Sequence, residues 1–125
     1  MKPHFHGLRT CIYRVNDITK AKAWYTEAFG VAPYFDEPFY VGFNIGGYEL
    51  GLQPEEGAPS PKGTSVLTYW GVDDAEKSYR RLIDQGATPF EEPTSVGGEI
   101  VVAAVKDPWE NIIGIIYNPE FKLPK

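Results

Sequence analysis

The sequence predicts an α+β protein composed of two tandem βαβββ modules, each with a curved mixed sheet and a helix on its outer face. A strand-like run followed by a helix-capping aspartate occurs twice, and the valines that end the two runs, Val15 and Val72, stand 57 positions apart (72 − 15). In both halves a glycine, Gly30 or Gly86, ends the helical pattern, and a proline follows three residues later. Modules of this length must bury one face against a partner, so we expect a single domain over residues 1–125.

The first module is predicted to span about residues 7–54. Its first strand is LRTCIYRV (residues 8–15), which is apolar and rich in β-branched side chains. Asp17 is a suitable helix cap. The helix is then indicated by apolar residues at three- and four-residue spacing: Ile18, Ala21, Tyr25 and Ala28. PYFD predicts a short strand, and the Gly46-Gly47 pair between PFYVGFNIG and YELGLQP predicts a β-hairpin.

The second module is predicted over about residues 65–119, after a linker of about residues 55–64 that is rich in proline and glycine. SVLTYWGV (residues 65–72) resembles the first strand of the other half. Asp73 is predicted to cap the helix, with Glu76 three residues further on as a loose capping box. The runs EIVVAAV and NIIGIIY then predict two strands on either side of a DPWEN turn.

Composition and charge exclude several classes of function. The net charge is −5, and the sequence has no cluster of lysine and arginine, so we expect no nucleic-acid partner. Cys11 is the only cysteine, so an internal disulfide is excluded, and a free thiol fits a reducing compartment. No run approaches the length of a membrane span, and the N-terminus has no apolar signal segment. These features predict a cytoplasmic protein without membrane association.

The repeat and its motifs resemble the vicinal oxygen chelate superfamily, which includes glyoxalases, extradiol dioxygenases, fosfomycin-resistance enzymes and bleomycin-binding proteins. The resemblance covers nearly the whole chain and is specific for the fold but not for the reaction. It rests on these residues: Val15-Asn16-Asp17, Ala23-Trp24-Tyr25, Phe29-Gly30, Gly86-Ala87, and Asp107-Pro108 with Asn111.

The resemblance implies that each sheet curls into a half-open cup, with metal-ligand positions on the first and last strands of each module. In this sequence those positions fall on Thr10, Gly51, Leu67 and Gly114, and the placement of Gly51 allows a shift of one or two residues. A threonine hydroxyl is a poor ligand for a transition metal, while glycine and leucine side chains offer none. The chain has only two histidines, both in the N-terminal tail. We therefore predict no metal site and no cofactor.

Other cup-facing side chains predict a small-molecule site. Glu49 alternates with Gly51 and Gln53, so the three share one face if Leu50 and Leu52 face the helix. Glu49 is the candidate catalytic residue, as a general base. The predicted ligand-binding residues are Thr10, Ile12, Phe43, Gly51, Gln53, Leu67, Tyr69, Ile112, Gly114 and Ile116. Such an apolar and aromatic lining suits capture of a flat or partly apolar molecule.

Three functions are compatible with these residues. The favoured one is a metal-independent small-molecule-binding protein, which is similar to the bleomycin-binding proteins in that it sequesters its ligand in an apolar groove without making or breaking bonds. The first alternative is a glyoxalase-like lyase or isomerase that uses Glu49 in a non-standard or metal-free site. The second is a protein-interaction module whose cup is filled by its own side chains. A homodimer is expected because a curved sheet with an exposed edge needs covering, although pairing of the two modules within one chain would give a monomer.

Overall fold

The computed structural model of the chain describes residues 3–121. The chain divides into two compact units, Met1–Ser60 and Pro61–Lys125, and the division falls within the segment predicted as a linker. Each unit is a four-stranded mixed sheet with one helix, which confirms the predicted α+β class. In the described part of the chain, no helix has the length and apolar character needed to cross a membrane.

The first unit follows the predicted order of elements closely. Its elements are β1 (Thr10–Val15), α1 (Ile18–Phe29), β2 (Phe35–Glu37), β3 (Tyr40–Ile45) and β4 (Tyr48–Pro54). The Asp17 side chain caps α1 by accepting from the Lys20 N–H at 3.0 Å, and Gly30 ends the helix with a left-handed φ of 71°. Gly46 and Gly47 both have positive φ in the turn between β3 and β4, as the hairpin prediction requires.

The two faces of the first sheet differ in character. The strand order is β1-β4-β3-β2, with β1 parallel to β4 and the other pairs antiparallel. Leu50 and Leu52 of β4 are fully buried, and α1 contacts β4 and β3. Because side chains alternate along a strand, Glu49 and Gly51 lie on the opposite face. We call that opposite face the open face of the first sheet.

The second unit has β5 (Tyr69–Gly71), α2 (Ala75–Asp84), β6 (Thr88–Ser95), β7 (Val101–Lys106) and β8 (Ile112–Tyr117). Its strand order, β5-β8-β7-β6, repeats that of the first unit. Two boundaries were predicted wrongly. Residues 65–68 are not in the strand, because β5 pairs with β8 over three residues only. Asp74, rather than Asp73, caps α2 by accepting from the Lys77 N–H at 3.0 Å; the two adjacent aspartates are equally suitable caps by type.

Strand β6 is not among the strands predicted from the sequence, and its segment TPFEEPTS contains two prolines. Proline lacks the N–H that a strand needs and is confined to edges and bulges. The structure satisfies both conditions, since β6 is an edge strand whose pairing with β7 shifts register on either side of Glu91.

The DPWEN turn between β7 and β8 is a structural element. Asp107 is 1% exposed, and its Oδ1 accepts from the backbone N–H groups of Trp109 and Asn111, both at 2.8 Å. Its Oδ2 accepts from Asn111 Nδ2 at 3.0 Å. A buried carboxylate needs donors of this kind to offset its lost hydration. The residues that carry the family resemblance here therefore hold the turn together.

Candidate functional site

Glu49 lies at the centre of a hydroxyl cluster on the open face of the first sheet. Its Oε1 accepts from Thr10 Oγ1 at 2.8 Å and from the Tyr40 hydroxyl at 2.9 Å, and its Oε2 accepts from the Tyr34 hydroxyl. Thr10 is placed there by β1, where it pairs directly with Glu49 of β4. A surface cavity of about 280 Å³ opens beside the cluster. It is lined by Arg9, Thr10, Tyr34, Asn44, Gly47, Tyr48 and Glu49.

Two glycines make room for the tyrosines of this cluster. Gly42 of β3 lies opposite Gly51 of β4, so the open face has no side chains at this pair. A Cβ on Gly51 would overlap the Tyr40 ring, with Cζ at 2.5 Å. A Cβ on Gly42 would lie 3.1 Å from Tyr34 Cε1 and 2.8 Å from Glu49 Oε2. The two glycines thus leave the space in which both tyrosine rings pack against the sheet, with their hydroxyl groups directed at Glu49.

The hydroxyl donors stabilise the ionised form of Glu49 and the protonated forms of the tyrosines. Hydrogen bonds from Tyr34 above all, and also from Thr10 and Tyr40, lower the pKa of Glu49, although partial burial opposes them. The pKa of Tyr34 is raised chiefly by its hydrogen bond to Glu49. Partial burial, followed by the Glu49 hydrogen bond and charge, raises the pKa of Tyr40 to about 12. At neutral pH the cluster is one carboxylate surrounded by neutral donors.

This arrangement predicts a pH dependence of stability. A carboxyl group whose pKa is lowered on folding stabilises the protein above its ordinary pKa of 4.5, and this contribution is lost as the pH falls through the lower folded value. We expect the difference in Tm between the wild type and Glu49→Gln to be constant from pH 7 to about pH 5 and to shrink below that. Thermal unfolding followed by circular dichroism measures it. A difference that persists undiminished at the acid limit of folding would contradict the assignment.

The predicted site residues of the first unit divide between its two faces. Thr10 and Gly51 belong to the cluster, and Ile12 lies on the open face opposite Gly51. Gln53 is on the same face, but it lies four residues, or about 13 Å, along β4 from Glu49, where its Oε1 accepts from Arg14 Nε at 3.4 Å.

Phe43 is on the other face, which corrects its assignment to the cup. It pairs with Leu50, is 1% exposed and belongs to the core beside α1. A side chain buried there cannot contact a ligand on the open face.

The predicted site residues of the second unit lie in and beside its sheet. Tyr69 of β5 pairs with Gly114 of β8, and the Tyr69 ring and the Thr68 backbone carbonyl fill the space beside Gly114. Partial burial and the charge of Glu91 raise the pKa of Tyr69. Ile112 and Ile116 are half-buried members of β8, and Leu67 precedes β5. A cavity of about 510 Å³, which Ile116 lines, lies where β5 and β8 end.

The positions Gly51 and Gly114 are equivalent in the two units. Gly51 pairs with Ile12, and Gly114 pairs with Tyr69. Ile12 and Tyr69 each stand three residues before the valine that marks the repeat. Thr10 is opposite Glu49 rather than Gly51, so the last-strand residue that faces Thr10 is a carboxylate.

Comparisons with known proteins identify the family. The model of the Glyoxalase/Bleomycin resistance protein/Dioxygenase superfamily matches residues 7–115. The chain belongs to this superfamily. It is 30% identical over 117 residues to the uncharacterized protein YurT of Bacillus subtilis, a match that covers 82% of this chain and 91% of YurT.

Solved structures of the glyoxalase superfamily share the fold. A glyoxalase-related enzyme from Fulvimarina pelagi is similar with a TM-score of 0.78 and 18% identity, covering 96% of this chain and 94% of the other. A glyoxalase/bleomycin resistance protein/dioxygenase family enzyme from Burkholderia phytofirmans has a TM-score of 0.74 and 21% identity, covering 90% and 98%. At these identities the likeness shows the fold alone.

The residues of this superfamily member do not fit a divalent metal at the Glu49 cluster. The oxygens around the carboxylate are a threonine hydroxyl and two phenol hydroxyls, which are poor metal ligands by type. Gly51 and Gly114 offer no donor atom. Within residues 3–121, no group of three or more His, Cys, Asp or Glu side chains converges on one point.

Sequence reasoning missed Tyr34 and Tyr40, although the sequence carried a signal for them. A two-residue turn at Gly46-Gly47 fixes the register of the hairpin and places Gly42 opposite Gly51. Paired strand glycines leave a gap that an aromatic side chain commonly covers. The position of Tyr40 on the open face follows from its alternation with Gly42 along β3. Tyr34 lies outside the strands, so the position of its ring depends on the path of the chain that leads into β2.

Proposed function

We propose that this superfamily member is a metal-independent small-molecule-binding protein that holds an apolar or aromatic ligand on the open face of the first sheet. The observation that carries the proposal is the Glu49 carboxylate, which three hydroxyl groups orient at the edge of a surface cavity. A fixed polar group beside exposed apolar side chains is the usual composition of a ligand site.

Exposed apolar side chains surround this polar centre. Ile12 is 45% exposed on the open face, and Phe35 of β2 lies on the same face because it pairs with Gly42. Phe39, at 66% exposed, packs its ring edge-on against Phe35 with ring centroids 6.0 Å apart. Apolar rings that remain in water contribute binding free energy when a ligand covers them.

The lowered pKa of Glu49 favours binding over base catalysis. A general base is most effective when its pKa is close to the working pH, and the hydrogen bonds from Tyr34, Thr10 and Tyr40 move the pKa of Glu49 in the opposite direction. A glyoxalase-like lyase or isomerase would need Glu49 to take up a proton readily. We therefore propose that the cluster positions a ligand instead of removing a proton from it.

The proposal includes the cell compartment and the assembly. We propose a cytoplasmic homodimer that binds no nucleic acid. The single cysteine and the net charge of −5 support the compartment and the absence of a nucleic-acid partner. Each sheet, taken by itself, ends in two edge strands, and covering such edges by a second copy supports the dimer.

A thermal-shift screen of aromatic compounds, run in the presence of EDTA, tests the proposal. A bound ligand raises the free energy of unfolding according to its concentration and Kd, so we expect hits that do not need a metal. Glu49→Gln keeps the side-chain shape but has a single acceptor oxygen for the hydroxyl donors. We expect it to weaken these hits about tenfold, which corresponds to about 1.4 kcal/mol.

Glu27→Gln is the matched control, because it removes the same charge from an exposed position on α1. We expect it to leave the affinity of the hits unchanged. Binding that disappears in EDTA would overturn the metal-independent proposal. A screen without hits would favour a protein-interaction module.

A further inference from the structure

The negative charge of Glu49 has no positive partner among residues 3–121. Its three hydrogen-bond donors, Thr10, Tyr34 and Tyr40, are neutral hydroxyl groups. The nearby Arg9, which lines the same cavity, directs its Nη1 to the backbone carbonyls of His6 and Leu8 at 2.9 and 3.4 Å. The carboxylate is therefore hydrogen-bonded, but its charge is not compensated by an ion pair.

One oxygen of Glu49 retains the capacity to accept another hydrogen bond. An ionised carboxylate has about four acceptor positions. Oε1 uses two of them, for Thr10 and Tyr40, whereas Oε2 uses one, for Tyr34. A ligand that carries a donor and a positive charge can use the remaining position on Oε2.

Aromatic rings stand beside this carboxylate. Tyr34, Phe35 and Phe39 are 64%, 39% and 66% exposed, and the Phe35 ring centroid is 6.2 Å from that of Tyr40. The face of an aromatic ring is electronegative and attracts cations, with contacts to quaternary ammonium groups as the best-known case. A negative charge next to several exposed rings favours a cation over a neutral molecule and disfavours an anion.

We propose that the open face of the first sheet binds an organic cation, a protonated amine that carries an apolar or aromatic group. The ammonium group lies against Glu49 and the rings of Tyr34 and Tyr40, and the apolar group covers Phe35 and Phe39. This proposal rests on the proposed function, since it names the class of ligand for the same site.

Isothermal titration with three probes of one ring size tests the ligand class: benzylammonium as the cation, benzyl alcohol as the neutral compound and phenylacetate as the anion. We expect the cation to bind at least tenfold more tightly than benzyl alcohol, and phenylacetate to bind more weakly than both. Raising the salt concentration should weaken the binding of the cation, because salt screens its attraction to Glu49, and should leave the binding of benzyl alcohol unchanged.

Variants separate charge recognition from simple apolar capture. Glu49→Gln is expected to reduce the preference for the cation to less than threefold, while Glu27→Gln retains it. Equal binding of cation and neutral probe by the wild type would overturn the cation proposal and leave the proposed function standing. If none of the three probes binds although the aromatic screen gives hits, the cation proposal is overturned and the proposed function stands; if the screen also gives no hits, both are overturned.

Discussion

Replacing Gly51 with alanine is expected to remove Tyr40 from the Glu49 cluster. The new Cβ would occupy the position of the Tyr40 ring, so the ring must turn away and lose its hydrogen bond to Glu49. We expect a loss of about 2 kcal/mol in the free energy of unfolding, as for overpacking at other close contacts. We also expect the pKa of Tyr40 to fall from about 12 toward its ordinary value of 10. Chemical denaturation and spectrophotometric titration of the tyrosines measure the two effects.

Gly71→Ala is the matched control for this substitution. Gly71 also lies in a strand, but nothing stands within 4 Å of the position that its Cβ would take. Alanine there is expected to leave the free energy of unfolding within about 0.5 kcal/mol of the wild-type value. If Gly51→Ala were as mild as the control and left the Tyr40 titration unchanged, Tyr40 would not lie on Gly51.

Replacing Gly114 with alanine is expected to have the largest effect on stability, about 3 kcal/mol, the upper end of the usual range for overpacking. A Cβ at this position would stand 2.5 Å from the Thr68 backbone oxygen, which also accepts from the Gly114 N–H at 3.1 Å. A backbone carbonyl cannot turn aside as a side chain can, so β5 must separate from β8. Chemical denaturation measures the change, again beside Gly71→Ala.

Hydrogen exchange of the Gly114 amide gives an independent readout. The amide is protected by its bond to Thr68, and protection should be lost if alanine separates the two strands. A variant as stable as the wild type, with a protected amide, would show that the gap at Gly114 has free space. The space beside Gly114 would then be available to a ligand, in agreement with the prediction from the sequence that Gly114 is a ligand-binding residue.

Local signals predicted the parts of the fold that depend on backbone geometry. Asp17 and Gly30 define α1, and Gly46-Gly47 defines the hairpin, because capping and turn formation require specific residue types. The resemblance also placed Gly51 and Gly114 at matching positions, with a possible shift of one or two residues for Gly51, and the pairing of the strands agrees with that placement.

The sequence was less informative where tertiary contacts decide the outcome. Strand β6 forms in spite of Pro89 and Pro93 because it lies at an edge and can shift register. Phe43 could have been placed correctly, since a two-residue hairpin turn sets it opposite Leu50. The position of the Tyr34 ring could not, because a loop brings it over Gly42.

The candidate site combines the Glu49 carboxylate with the hydroxyl groups that donate to it. Neither the strand pattern nor the family resemblance showed this combination. Glu49 was identified from its alternation with Gly51, but its chemical character comes from the hydroxyls around it. Those hydroxyls favour the ionised carboxylate and leave one acceptor position open on Oε2. We propose that such a site binds its ligand through hydrogen bonds, charge and ring contacts.

Chemical-shift mapping with a hit from the aromatic screen, recorded in EDTA, tests the central claim most directly. Metal-independent binding at the Glu49 cluster predicts that the largest amide shifts fall on residues of the open face. These residues are Thr10, Tyr34, Gly42, Glu49 and Gly51. Shifts confined to other parts of the chain, or shifts that appear only when a divalent metal is added, would contradict it.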